Sequence, residues 1–317
     1  MVGSSSDREY DGVSTEINYL KPSVKGKKRL LYDQKTRSSV TKSYPVQLHN
    51  ARLFPEKSHI ENIKDHGFTL VKEFLPIADV LKIINPPEYR DDKDIPEPEE
   101  SIAERDAYFQ QVAEKVRNIT GADFAYVITW AVRNQNKIHA KNSDKKKSAQ
   151  YLVQYASFAH TDFTTDILPR AMKFFLKRGV SQDVAKRLKV SFFGTWQPTG
   201  NPVEMFPLAL CDAGSAEPGD LVKCTLGYAI TPSGDKRYQP PIGIPTYNPS
   251  HKWYFYPRMQ PDELIMFTHC DGRDGWPKQT YHTAVKHDIK PNPRTRTSIE
   301  TRVICGFLDK EVEASKL

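Results

Sequence analysis

His160 and Asp162 stand two apart in the run Phe158-Ala159-His160-Thr161-Asp162-Phe163. In an extended segment such residues project to one face, so an imidazole and a carboxylate can reach a single ion. A second histidine would complete a two-histidine, one-carboxylate set with open coordination positions, the arrangement of non-haem Fe(II) oxygenases. A lone His-x-Asp pair is common, so the rest of the set must be found. Three histidines are candidates for the third ligand: His269, His282 and His287. His269 adjoins Cys270 and the glycine-containing stretch 271–275, which reads as a loop. His287 lies among Lys286, Asp288 and Lys290, a polar turn. His282 precedes Arg296 by 14 residues (296 − 282), room for a strand, a turn and a return strand that would set the two on neighbouring strands. His282 is therefore the expected ligand. Arg296 and Ser298 point the same way in an extended segment and together offer a guanidinium and a hydroxyl to one carboxylate. Taken alone, Arg296 is one cation of the basic segment 294–302. In order after a His-x-Asp and a distal histidine, it reads as a clamp.

The elements that must carry these residues are mostly strands. Residues 1–45 are polar and basic and read as an N-terminal arm, partly extended; 46–317 reads as a single domain. Stretches 46–54 and 68–74 alternate as early strands, and 86–98 (PPEYRDDKDIPEP) is excluded from regular structure by its prolines. Residues 99–120 have helical spacing, with Ile102, Ala107, Phe109, Val112 and Val116 as the apolar side. Residues 125–132 read as a buried strand, 134–150 as a Lys-rich loop, and 166–178 and 181–187 as helices, the second capped by Ser181. Strands are expected at 190–196, 207–212, 223–229, 253–256, 263–268 and 298–308. Short strands between Pro and Gly turns, preceded by helices, indicate a mainly β sandwich or barrel with helices on its outside.

Composition narrows the class. The 317 residues carry a net charge of +7, but basic runs such as 25–29 and 145–147 are short and lack aromatic stacking partners. No nucleic-acid partner is expected, and anionic small molecules remain compatible. Four cysteines (Cys211, Cys224, Cys270, Cys305) are too scattered for a disulfide framework or a zinc ribbon. No 18-residue apolar run and no apolar core near the N-terminus argue for a membrane or secretory segment, so a cytoplasmic location is expected.

Several segments resemble the fungal gibberellin desaturase-like enzymes, related to a cephamycin methoxylation protein. They are Ile17-Asn18-Tyr19-Leu20, Asp65-His66-Gly67-Phe68-Thr69-Leu70-Val71, His160-Thr161-Asp162-Phe163-Thr164, Trp196-Gln197-Pro198 and His251-Lys252-Trp253-Tyr254. Met259-Gln260-Pro261-Asp262-Glu263, His282-Thr283-Ala284 and Arg296-Thr297-Ser298-Ile299-Glu300-Thr301-Arg302 continue the series. Gln197 departs from the family's usual Arg, and Thr297 from its usual Glu. The resemblance implies a double-stranded β-helix (jelly-roll, cupin-like) core holding Fe(II) at His160, Asp162 and His282. It also implies 2-oxoglutarate as co-substrate, with Arg296 and Ser298 on its distal carboxylate. The implied activity is a dioxygenase's: hydroxylation, desaturation or epoxidation of a small-molecule intermediate of secondary metabolism. Asp162 argues against halogenation, which needs that ligand position for chloride. Tyr126, Trp130, Arg133, Trp196, Phe206 and Tyr281 are candidate substrate-facing positions. Three alternatives stand beside this reading: an iron oxidase that does not use 2-oxoglutarate, a non-catalytic cupin-like binding protein, and a zinc hydrolase, the last without an evident general base.

Overall fold

The computed structural model describes residues 10–24, 39–76, 99–134, 152–153, 155–224, 228–230, 236–238 and 241–308. Its strands are β1 (Val13–Leu20), β2 (Thr41–Asn50), β3 (Phe68–Val71), β4 (Phe124–Asn134), β5 (Leu152–Val153), β6 (Leu188–Pro198), β7 (Leu208–Cys211), β8 (Leu221–Cys224), β9 (Tyr228–Ile230), β10 (Lys236–Tyr238), β11 (Ile242–Pro245), β12 (Trp253–Phe255), β13 (Leu264–Asp271), β14 (His282–Ala284) and β15 (Thr297–Leu308). The helices are α1 (His59–His66), α2 (Glu99–Thr120), α3 (Leu168–Leu176) and α4 (Gln182–Lys186). No described helix is long and apolar enough to cross a membrane.

Two sheets face each other. One has six strands in the order β3-β13-β6-β15-β4-β5, the other five in the order β1-β2-β12-β7-β14. Period-two alternation sorts their side chains into layers. In β13, Leu264 and Met266 turn outward with Ile299 and Val303, beneath Tyr108, Val112 and Val116 of α2. Ile265 and Phe267 turn inward with Trp196, meeting Leu208 and Leu210 of the opposite sheet. The opposite face of β7 presents Ala209 and Cys211 to Ile17, Tyr19 and Trp253. This is the jelly-roll arrangement expected, mainly β with helices packed outside.

The five-stranded sheet curls until its edges are joined by the segment that carries the His-x-Asp pair. His160 and His282 exchange backbone hydrogen bonds of 3.1 and 2.9 Å, and the Ala159 N–H donates to Asn18 O of β1 at 2.8 Å. β1 falls within the span expected as an arm, is extended, and forms eight pairs with β2. At the start of β3, Gly67 caps α1 with φ of 84°. A side chain there would run into Thr280, whose hydroxyl donates to Gly67 O at 2.9 Å.

Several details differ from expectation. The strand expected over 46–54 ends at Asn50, whose side chain caps a short 3-10 turn by accepting from Arg52 N–H. The buried stripe of α2 is Tyr108, Val112 and Val116, while Ala107 is exposed; tyrosine's apolar ring outweighs its hydroxyl in setting the phase. The stretch 223–229 falls into two strands, β8 and β9, in different ladders. His269 lies in β13, which continues past a bulge between Thr268 and Cys270 rather than ending in a loop. β14 and β15 are not neighbours either: β14 pairs with β7, β15 with β6 and β4, so the expected ligand and the expected clamp belong to facing sheets. The expected loop beyond Asn134 and the stretch 86–98 lie outside the described residues.

Candidate metal centre

His282 opens β14 opposite Leu210 and shares its inward face, with the Phe267 ring 4.7 Å away between centroids. Its Nδ1 lies 3.3 Å from Thr280 O, the residue packed on Gly67. His160 Nδ1 lies 2.8 Å from Phe158 O. A carbonyl only accepts, so each Nδ1 carries the proton and each Nε2 lone pair is left for a metal. His160 Nε2 stands 3.4 Å from Asp162 Oδ1. Ligand atoms of His160, Asp162 and His282 all lie within 4.8 Å of one another. Donors each about 2 Å from one ion are separated by roughly 3 to 4 Å, so small rotations would close the set.

Protonation states suit a cation. Burial foremost, with His160 beside it, pushes the His282 imidazole well below its usual value, so it is neutral at pH 7. Burial alone would raise the Asp162 carboxyl, but Arg302 foremost, then His269 and His160, hold it well below the usual carboxylate range. The set is two imidazoles and one carboxylate, an oxygen- and nitrogen-donating site that fits Fe(II).

Ser298, Glu300 and Arg302 alternate along the inward face of β15, and Arg296, the residue before the strand, continues the spacing. Glu300 Oε1 accepts from Arg302 Nη2 at 2.6 Å and from Arg133 Nη2 at 2.5 Å. Burial would raise the Glu300 carboxyl, yet Arg133 and Arg302 take it down to about 2. Arg302 Nε donates to Asp162 Oδ2 at 2.7 Å. Gly194 faces Arg302 across the β6–β15 ladder, where a Cβ would come within 2.6 Å of His269 Nε2. Only glycine admits that ring. His269 in turn sets Nε2 3.4 Å from Asp162 Oδ2.

Arg296 is 4% exposed, and burial lowers its guanidinium to about 10. The guanidinium carbon lies 4.0 Å from the Tyr155 ring centroid and 5.1 Å from that of Trp196. Nη1 donates to Phe206 O; Phe206 adopts φ of 47°, the left-handed region costly for a bulky residue. The Tyr155 hydroxyl donates to Arg296 O at 2.5 Å. Among the described residues no carboxylate pairs with Arg296, and its Nε has no acceptor. Ser298 Oγ is likewise buried without a partner. An orphan cation and hydroxyl on one strand face suit one arriving carboxylate.

The structure thus brings His160, Asp162 and His282 together and sets Arg296 and Ser298 on the facing sheet. Of the candidate substrate-facing positions, Trp196 and Phe206 border Arg296 and Arg133 pairs with Glu300. Trp130 instead turns outward against Phe109, and Tyr281 packs in the core with Tyr19 and Trp253. Gln197 also faces outward, bonded to Tyr108, Leu75 O and Pro261 O, so no substrate contact is built on it. Arg302 and Glu300 were not foreseen at the site, although they continue the alternation from Arg296; His269, weighed as a third ligand and read as a loop residue, stands in β13 beside Asp162.

The family described as "Oxidoreductase/YMDC permease-like domain" matches residues 17–306. The "Fe(II)/2-oxoglutarate-dependent dioxygenase nvfI" of Aspergillus novofumigatus is 25% identical over 314 residues, 96% of this chain and 98% of its own. The "Hydroxylase/desaturase efuI" of Hormonema carpetanum is 25% identical over 218 residues, 66% of this chain and 72% of its own. A solved structure titled "iron and alpha-ketoglutarate-dependent endoperoxidase NvfI" superposes with a TM-score of 0.67 at 21% identity, covering 94% of this chain and 99% of that one. That likeness carries the fold.

Proposed function

The chain belongs to the oxidoreductase/YMDC permease-like domain family, and on that premise we propose how its site works as an Fe(II)- and 2-oxoglutarate-dependent dioxygenase. His160, Asp162 and His282 hold Fe(II); Arg296 and Ser298 receive the distal carboxylate of 2-oxoglutarate; residues 46–317 act as one dioxygenase domain. The enzyme oxidises a small-molecule natural-product intermediate, by hydroxylation, desaturation or epoxidation. The observation that carries the assignment is three convergent ligands in a site whose neighbouring segment holds a buried Arg296 with a free Nε and a buried Ser298 with a free hydroxyl among the described residues.

When bound, Fe(II) and 2-oxoglutarate supply the oxidising chemistry, in which O₂ is consumed, 2-oxoglutarate becomes succinate and CO₂, and the substrate is oxidised. The chain's own residues position and insulate. The Phe158 and Thr280 carbonyls keep both Nε2 atoms unprotonated and turned inward. Tyr155, Trp196 and the Phe206 carbonyl hold the Arg296 guanidinium in one plane before the carboxylate arrives, which spares ordering entropy on binding. The low dielectric around Arg296 strengthens that pairing.

Anaerobic titration with Fe(II) and then 2-oxoglutarate, followed by the visible charge-transfer absorption of the chelate, tests the assignment. His282→Ala is expected to abolish iron binding. Arg296→Ala is expected to keep iron and weaken the response to 2-oxoglutarate by at least tenfold, the cost of about 1.4 kcal/mol or more for one charge-assisted contact. Iron binding in the wild type without any response to 2-oxoglutarate would give the Arg296 cradle to the substrate's own carboxylate. A wild type that binds no iron sinks the proposal.

A further inference from the structure

The two histidines are aligned by carbonyls close to them in the chain, Phe158 and Thr280. Asp162 is aligned from the facing sheet. Its two oxygens are divided: Oδ1 is the atom beside His160 Nε2, at 3.4 Å, while Oδ2 accepts from Arg302 Nε at 2.7 Å. Arg302 is itself fixed through Nη2 on Glu300 at 2.6 Å, and Glu300 is braced by Arg133 of β4 at 2.5 Å. The four charges form one alternating chain running from β4 across β15 to the ligand carboxylate.

We propose that Arg302 is a positioning residue for the iron carboxylate: by occupying Oδ2 it leaves Oδ1 as the single oxygen offered to Fe(II), while Glu300, braced by Arg133, sets the plane of the guanidinium. The inference rests on the reading of His160, Asp162 and His282 as the iron site. Its consequence is coordination number. A carboxylate free to turn has both oxygens to offer, and the second would take a position that co-substrate or oxygen needs. A planar fork satisfies two carboxylates at once, which an ammonium cannot do with the same geometry.

The test is anaerobic titration of the wild type, Arg302→Gln, Arg302→Lys and Glu300→Gln with Fe(II) and, separately, Co(II), whose ligand-field absorption reports coordination number. Thermal unfolding of each apo-protein is recorded alongside. Arg302→Gln is expected to weaken Fe(II) binding roughly 10- to 100-fold, as removal of outer partners of metal ligands does, and to change the Co(II) spectrum. Arg302→Lys should recover part of the affinity, and Glu300→Gln should shift both readouts in the same direction by less. Wild-type affinity and spectrum in both Arg302→Gln and Glu300→Gln would overturn the proposal, even if those variants melt earlier. If Arg302→Gln does not fold, Glu300→Gln decides alone: changed metal readouts support the proposal, unchanged ones overturn it. A wild type that binds neither metal overturns the iron site and this inference together, whereas variants identical to a metal-binding wild type overturn only the positioning role.

Discussion

Ser298 separates two kinds of contribution that one residue can make. Its hydroxyl is fully buried and has no partner among the described residues, and a buried orphan costs about 1–3 kcal/mol. Ser298→Ala is therefore expected to leave the apo-protein as stable or slightly more so by urea unfolding. In the role proposed for it, the same change removes a hydrogen bond to a charged carboxylate, worth about 1.5–3 kcal/mol, so the dissociation constant for 2-oxoglutarate should rise roughly ten- to a hundredfold. Lost stability with unchanged affinity would mark Ser298 as a packing residue. Spacing by two made His160 with Asp162, and Arg296 with Ser298, legible, because strand parity puts each pair on one face. Glu300 and Arg302 obey the same parity, yet charges two apart on a strand are as often solvent-facing. Only their burial between the sheets reveals them. His269, a candidate ligand, was placed in a loop because the bulge in β13 breaks the alternation and Gly272 and Gly275 follow closely.

At the scale of elements, β1 is tied in by polar contacts as well as by its ladder. The Tyr19 hydroxyl accepts from Trp253 Nε1 at 2.7 Å and donates to His251 Nδ1 at 3.1 Å. His251 Nε2 donates to Asp220 Oδ2 at 3.0 Å. The segments 17–20 and 251–254, which stood out separately in the sequence, meet here. Tyr19→Phe would leave the Trp253 N–H and His251 Nδ1 buried without that partner, so a loss of about 1–3 kcal/mol in urea unfolding is expected. A loss within ±0.5 kcal/mol, the range of ordinary surface changes, would refute the tether. Polar residues dominate the average over 1–45 and mask the buried Ile17 and Tyr19 on one face of β1 and Leu20 on the other. α2, β4, β6 and β15 were readable because each is long enough for its period to repeat. Pairing was not. The spacing between His282 and Arg296 gives chain length, but β14 pairs with β7, a choice made by packing across the sandwich.

For the molecule as a whole, the histidines set the response to acid. His59, His251, His269, His282 and His287 are all pushed below their ordinary value, with burial the first cause in each. In the unfolded chain they titrate near ~6.5. Above that pH neither state holds the extra protons and stability is full. As the pH falls below it, the unfolded chain takes up protons that the folded chain refuses, so stability declines until the folded values are reached. Depressed carboxylates such as Glu300 act in the same direction only below about 4.5. The urea stability of the apo-protein is therefore expected to fall steadily from pH 7 to 5. Its slope should exceed about 1.4 kcal/mol per pH unit, the limit for a single proton. A flat profile would show that these rings accept protons without leaving their packing. The division of labour at the site has one more consequence. His160 and His282, joined through their own backbones, ride with the five-stranded sheet, while Asp162 is fastened through Arg302 to the six-stranded one. Breathing of the gap between the sheets therefore works on the Arg302–Asp162 tie and on the Thr161–His269 and Thr280–Thr268 hydrogen bonds that cross it beside the histidines. The escape rate of the ion is where any loosening of the sandwich registers first.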